Sequence, residues 1–183
     1  MRITSGEYKN RQLFVPEGDF IRPTSDRMRQ SIFNILRHPK WDDEFVLNDI
    51  RVLDIFCGSG SLGLEALSNG ASHCTFIDQD VRTVRKNTGF IPEDDLEIVQ
   101  SSALSLKQGS GDVGLVFMDP PYRQNLVEPT LQKLIDNQWF LDNAIVIVEC
   151  EKNLKIACDL ELLDTRSQSQ SDLHFFRYNT AVE

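Results

Sequence analysis

Two groups of residues in this 183-residue chain have types and spacings that suit chemistry. The first is Asp54 with Gly58, Gly60 and Gly63, followed by Asp78 twenty residues after Gly58. The three glycines fit GxGxxG, which lets a backbone turn tightly, approach a ligand and pack a helix on a strand. A carboxylate at Asp78, at the end of the next apolar run, is placed to hold a ribose. A pyrophosphate needs donors, yet Asp54 stands inside the motif and no Lys or Arg lies between Val52 and Val81. The ligand end against this turn is therefore read as cationic, which suits the amine and sulfonium of S-adenosylmethionine. A nicotinamide or flavin cofactor, or a glycine turn with no ligand, are the alternatives.

The second group is Asp119-Pro120-Pro121-Tyr122. Successive prolines keep Asp119 and Pro120 out of the helical region and remove two backbone donors. Acceptors remain, in the Asp119 carboxylate and the Pro120 carbonyl, and these suit an exocyclic NH2 that donates two hydrogen bonds. Accepting both hydrogens favours a pyramidal nitrogen, so catalysis proceeds by orientation and electrostatics with no covalent intermediate. Tyr122 stacks on the base, a contact worth roughly 1–3 kcal/mol. The bland alternative is a rigid turn at a strand end.

The elements that must position these groups follow from the apolar pattern. Val52–Phe56, Cys74–Asp78, Leu96–Gln100, Val113–Met118 and Ala144–Glu149 read as buried strands separated by helical segments. That alternation predicts an α/β fold, a doubly wound and mostly parallel sheet with ligands at the C-terminal strand ends. Leu160–Arg166 and Leu173–Asn179 follow without a helix between them, so an antiparallel pair completes a Rossmann-like sheet of about seven strands. Upstream, Met1–Thr4 and Leu13–Val15 suggest a small hairpin with a basic tip. A helix from about Asp26 to Arg37 follows, capped by Thr24 or Ser25, with Met28, Ile32, Ile35 and Leu36 on its packed face. The domain boundary is placed at residue 40, with an N-terminal hairpin-and-helix extension before it.

Charge divides the chain the same way. The total is -9, but residues 1–40 hold eight Lys/Arg against four Asp/Glu, while residues 41–183 hold eleven against twenty-four. If a polyanion is bound, the N-terminal segment is expected to meet it, with Arg22, Arg27 and Arg29 clustered near the cleft. The four cysteines have no metal-ligand spacing and read as buried thiols, so no metal is expected. The absence of a long apolar run or signal core makes the cytoplasm the expected compartment, with no membrane partner.

Glycine turn, Asp78 and DPPY together resemble class I S-adenosylmethionine-dependent amino-methyltransferases. RPTSDRMRQSIFNIL followed by LDIFCGSGSLGLEAL is similar more closely to the bacterial 16S rRNA guanine-N2 methyltransferases, the ribosomal small-subunit methyltransferase D family. The resemblance implies cofactor contacts at Asp54, Cys57, Gly58, Gly60 and Asp78. Ser102, beside Ala103, stands where such enzymes often place Asp or Asn for the adenine amino group. It implies target-amine contacts at Asp119, Pro120 and Tyr122, with Pro121 alongside, and a cleft entrance lined by Arg22, Thr24, Asp26 and Arg27. The implied partner is small-subunit rRNA within an assembling or assembled 30S particle, bound by a monomer. Competing readings are weaker. A DNA adenine enzyme needs a longer recognition segment, a pyrimidine carbon-5 methylase needs a cysteine nucleophile where Cys57 reads as packing, and a dehydrogenase leaves Asp54 and DPPY without a role. A non-catalytic assembly factor with a vestigial fold is the rival of another class, and calorimetry with S-adenosylmethionine separates it.

Overall fold

The computed structural model describes residues 1–16, 26–42, 44–167 and 171–180. Helix α1 spans Asp26–Arg37, and the sheet then begins with β1 (Arg51–Ile55). Next come α2 (Ser61–Ser68), β2 (His73–Asp78), α3 (Arg82–Thr88) and β3 (Leu96–Gln100). The chain continues through β4 (Val113–Met118), α4 (Val127–Asp136), β5 (Phe140–Glu151), β6 (Glu161–Ser167) and β7 (Ser171–Arg177). The strands form one sheet in the order β3-β2-β1-β4-β5-β7-β6. β1 to β5 pair in parallel, and β7 lies antiparallel between β5 and β6. This is the mostly parallel sheet with an antiparallel C-terminal pair that the pattern predicts. No helix among the described residues is long and apolar enough to cross a membrane.

Alternation along the strands divides the core in two. Val52, Phe76, Leu115, Phe117 and Ile147 face α1, α2 and α3, while Leu53, Ile77, Val116, Met118 and Val148 face α4 and a short 3-10 turn at Ala103–Ser105. Strand order reverses between β1 and β4, and in register Ile55 lies level with Met118. The turn after β1 and the turn after β4 therefore emerge side by side, at the crevice where open α/β sheets bind ligands.

The N-terminal segment shares this core rather than sitting apart from it, since Ile3, Leu13, Ile32, Phe33 and Leu36 belong to the same cluster as Phe76 and Phe117. The expected hairpin reduces to one antiparallel bridge, Arg2 with Gln12. Its tip docks on the end of α2: the Glu7 amide donates to the Ser68 carbonyl (2.7 Å) and the Tyr8 amide to Ser68 Oγ (2.9 Å). The packed face of α1 also differs from expectation. Arg29 and Phe33 are buried with Ile32 and Leu36, while Met28 and Ile35 are half-buried.

The reason is a polar network inside the apolar face. The Arg29 guanidinium donates to Asp26 Oδ1 and to the Arg2 carbonyl, both at 2.7 Å, and lies 3.7 Å from the buried Glu65 of α2. Glu65 in turn accepts from the amides of Thr4 and Ser5 and from both hydroxyls, at 2.7–3.1 Å. A buried ion pair is tolerated when hydrogen bonds take up its remaining capacity, and here the Arg2 carbonyl and the amides and hydroxyls of Thr4 and Ser5 supply them. Arg29, read as part of a cationic cluster at the cleft, is instead an internal tie.

Candidate active site

β1 leads into a turn in which Phe56, Gly58 and Gly60 all have positive φ, at 62°, 51° and 75°. The Cys57 amide donates to the Ile77 carbonyl of β2 (3.1 Å), which pins the turn to the neighbouring strand. Gly63 is required by packing: a Cβ there would fall 2.4 Å from Phe76 Cε1 and 2.5 Å from Cys74 Sγ. Helix α2 thus rests directly on β2, as the third glycine of the motif predicts.

Two carboxylates brace this turn. Asp54, buried near the end of β1, accepts from the Gly63 amide at 2.9 Å. Burial, together with neighbouring Asp119 and Asp78, pushes its carboxyl up to about 8 against the pull of the Gly63 N–H. Asp78 accepts from the Gly58 amide (2.8 Å) through one oxygen and from the Asp80 amide (3.0 Å) through the other. Asp54, Asp78 and Asp119 line a single cleft of about 1300 Å3. Three carboxylates lining one cleft, the buried Asp54 pushed toward its neutral form, make this part of the cleft acidic, a surrounding that suits a cationic ligand. Cys57 lines the cleft too, but burial and the nearby carboxylates raise its thiol far above neutrality, so it offers no thiolate.

The turn after β4 builds the neighbouring part of the cleft. Asp119, Pro120, Pro121 and Tyr122 all line the cleft, with Pro120 buried and the Tyr122 side of the turn exposed. The Tyr122 hydroxyl lies 3.5 Å from Glu149 Oε1, at the end of β5, and burial together with that carboxylate raises the phenol. The Arg123 amide donates to Glu151 at 2.6 Å, so β5 anchors the turn from outside.

Most of the expected site residues meet here, and some do not. Asp54, Cys57, Gly58, Asp78, Ala103, Asp119, Pro120, Pro121, Tyr122 and Arg27 line the cleft. Gly60 shapes it from below, where a Cβ would meet Val84 at 2.6 Å. Ser102 is outside the lining: its hydroxyl accepts from the Leu104 amide (3.3 Å) and caps the 3-10 turn, while its neighbours Ser101 and Ala103 face the cleft. Asp26 does not line the cleft but pairs with Arg29. Arg22, Thr24 and the Ser25 cap lie outside the described residues.

The sequence reading missed two contributors. Glu149 lines the cleft at the C-terminal end of β5, an acid closing an apolar run, the same signal that Asp54 and Asp78 gave. Phe14, Val15 and Pro16 form a wall of the cleft, held by Asn87 of α3. Asn87 accepts from the Phe14 amide (2.7 Å) and donates to the carbonyls of Phe14 and Ser59 (2.9 Å each), joining the N-terminal strap to the glycine turn. Lys86 sits 3.5 Å over the Phe14 ring. Nothing in the local pattern announces a contact over 73 residues.

Comparison with known proteins agrees in both sequence and fold. The family model described as "Conserved hypothetical protein 95" matches residues 1–177. The chain is 39% identical over 155 residues to ribosomal RNA small subunit methyltransferase D of Escherichia coli (strain K12), covering 82% of this chain and 75% of the relative. It is 35% identical over 161 residues to the Haemophilus influenzae protein of that name, covering 84% and 80%. The solved structure of the Escherichia coli protein yhhF superposes with a TM-score of 0.84 at 33% identity, covering 99% of each chain. An RNA methyltransferase from Salinibacter ruber, solved with S-adenosyl-L-homocysteine, shares the fold at 12% identity, with a TM-score of 0.64 and 88% and 97% of the two chains covered.

Proposed function

The chain belongs to the ribosomal RNA small subunit methyltransferase D family, and from that premise we propose that it methylates the exocyclic 2-amino group of a guanine in 16S rRNA, with S-adenosylmethionine as donor. The observation that carries this reading is the pairing of two unlike turns in one cleft. A carboxylate-braced glycine turn suits a cationic donor, and a donor-poor Asp-Pro-Pro-Tyr turn suits an amine. A cleft of about 1300 Å3 exceeds the ~300–1,000 Å3 of a site for one small ligand, which leaves room for an extruded base beside the cofactor.

The residues present fit that cofactor. Asp54 carries a carboxyl that burial and like charges hold protonated, and a bound cation would release the proton. Asp78 fixes the Gly58 amide and would hold the ribose, while Ser101 and Ala103, which line the cleft, would lie beside the adenine. When bound, the cofactor supplies an electrophilic methyl group. The chain's own task is then orientation: the Asp119 carboxylate and Pro120 carbonyl accept the two amino hydrogens, which frees the nitrogen lone pair, and Tyr122 stacks on the flipped base. Removing one such preorganised acceptor costs on the order of 10²–10³ in kcat. Arg27, exposed at the cleft rim, is assigned to the RNA backbone. Because the chain is acidic overall, the partly assembled small subunit is expected to serve better than bare rRNA, with the enzyme acting as a monomer.

The test is to map modified guanines in rRNA from a strain lacking the gene. One guanine should lose its N2-methyl group, regain it with the wild-type gene and fail to regain it with Asp119→Ala, whose affinity for S-adenosylmethionine stays within a few-fold. Loss of a different modification, or restoration by Asp119→Ala, overturns the assignment.

A further inference from the structure

Arg27, Ser31 and Asn34 of α1 and His38, the residue after its end, recur at spacings of four, three and four, so they continue one stripe along the helix. The stripe points away from the buried face of Arg29, Ile32, Phe33 and Leu36. At the N-terminal end of the helix Arg27 lines the large cleft. One turn further on, Ser31 begins the wall of a second groove of about 400 Å3, with Asn34 and His38 beyond it and β6 opposite. Ser167, at the end of β6, lines both cavities, so the groove adjoins the cleft at that residue. It does so on the acceptor side, because Ser167 pairs with Asp172 next to Ser171, which lines the cleft together with Tyr122.

The groove also differs in charge from the acidic body of the chain. Lys40 and Arg166 line it against a single carboxylate, Asp164, which pairs with Arg166 at 2.7 Å, so with His38 neutral the lining carries a formal charge of +1. Its other polar groups include the hydroxyls of Ser31 and Ser167 and the amide of Asn34, suited to phosphate and ribose oxygens, and Trp41 lines it too. From Arg27 to His38 the stripe runs about 16 Å at 1.5 Å per residue. That matches about five stacked nucleotides at about 3.4 Å each.

We infer that this groove carries the RNA strand that continues from the methylated nucleotide on one side, so that α1 and β6 grip the backbone while the target base turns into the cleft. The inference rests on the rRNA methylation proposed above and adds the path of the flanking strand. Cations tracking a backbone beside a base-stacking aromatic are the general pattern of single-strand sites.

Small subunits from a strain lacking the gene provide the probe. Asn34→Cys carrying an aryl azide, irradiated on those subunits, should cross-link to rRNA within about five nucleotides of the methylated guanine, above the background of the unsubstituted protein. Cross-links to a ribosomal protein, or to rRNA remote from the target, overturn the inference. Independently, His38→Glu with Lys40→Glu should raise KM for the subunit about tenfold and lower the salt dependence of binding by about one unit of slope per lost phosphate contact. The dissociation constant for S-adenosylmethionine should not move. A wild-type KM in that double variant overturns the groove while leaving the methylation intact, whereas a wild-type protein that methylates no guanine overturns both.

Discussion

Affinity for S-adenosylmethionine is expected to rise about tenfold between pH 6 and pH 7, because the deepest carboxyl of the cleft must give up a proton before it can face a cation. Asp54 titrates at about 8 in the cofactor-free protein. Only about one molecule in eleven then has it ionised at pH 7, and about one in a hundred at pH 6. Selecting the ionised form costs about 1.4 kcal/mol at pH 7 and about 2.7 kcal/mol at pH 6, since one pKa unit is worth about 1.36 kcal/mol. Isothermal calorimetry in buffers of different ionisation enthalpy should count about 0.9 proton released per cofactor bound at pH 7. Above pH 8 the gain stops, as the cofactor's own amine, of the α-amino type, loses its proton near 8. Asp54→Asn should bind more weakly and lose the pH dependence. In the absence of cofactor the sign is opposite. The folded pKa lies above the unfolded value of 3.8, so the stability from Asp54 is fully present below about pH 4 and is lost as the pH rises through 8. A dissociation constant that is flat from pH 6 to 7.5, with no proton released, would refute the placing of a cation against Asp54.

Three further outcomes follow from the packing and hydrogen bonds. Gly63→Ala should lower the melting temperature, with a cost of about 1–3 kcal/mol, because the new methyl meets the ring of Phe76 and the sulfur of Cys74 and α2 must lift from β2. Glu65→Ala should cost about 3–5 kcal/mol in chemical denaturation, since it takes a buried counter-charge from Arg29 and leaves four donors of residues 4 and 5 without their acceptor. Asp78→Ala should raise the dissociation constant for S-adenosylmethionine before it touches turnover at saturation, as the Gly58 amide loses its anchor; a variant with normal affinity and low kcat would show the assignment to be wrong.

The sheet and the two turns were legible because each is written in contiguous residues. Apolar runs give the strands, and a carboxylate or glycine at the end of a run marks where the chain leaves the sheet. What escaped depends on partners distant in sequence. An arginine in a helix reads as solvated until Glu65 and the Arg2 carbonyl are known to lie beneath it. The rotation of α1 that buries Phe33 in place of Met28 and Ile35 follows from that pair. Ser102 is expected at the cleft from its position alone, and a single turn of 3-10 helix is enough to place its neighbours there in its stead. Asn87 carries no signature at all, since an Asn late in a short helix is ordinary until two remote carbonyls converge on it.

The bonds from Thr4 and Ser5 to Glu65 also set an order of events during synthesis. These residues leave the ribosome about sixty positions ahead of the carboxylate that binds them, and Ile3 has no apolar shelter until the strands it packs with have formed. Closing a loop of that length belongs to the slow, topology-limited part of folding. The start of the chain cannot lock until Glu65 is in place, and the strap carrying Phe14 cannot be tied to the glycine turn until Asn87 of α3 has followed. The cleft is complete when the molecule has finished folding, and not before.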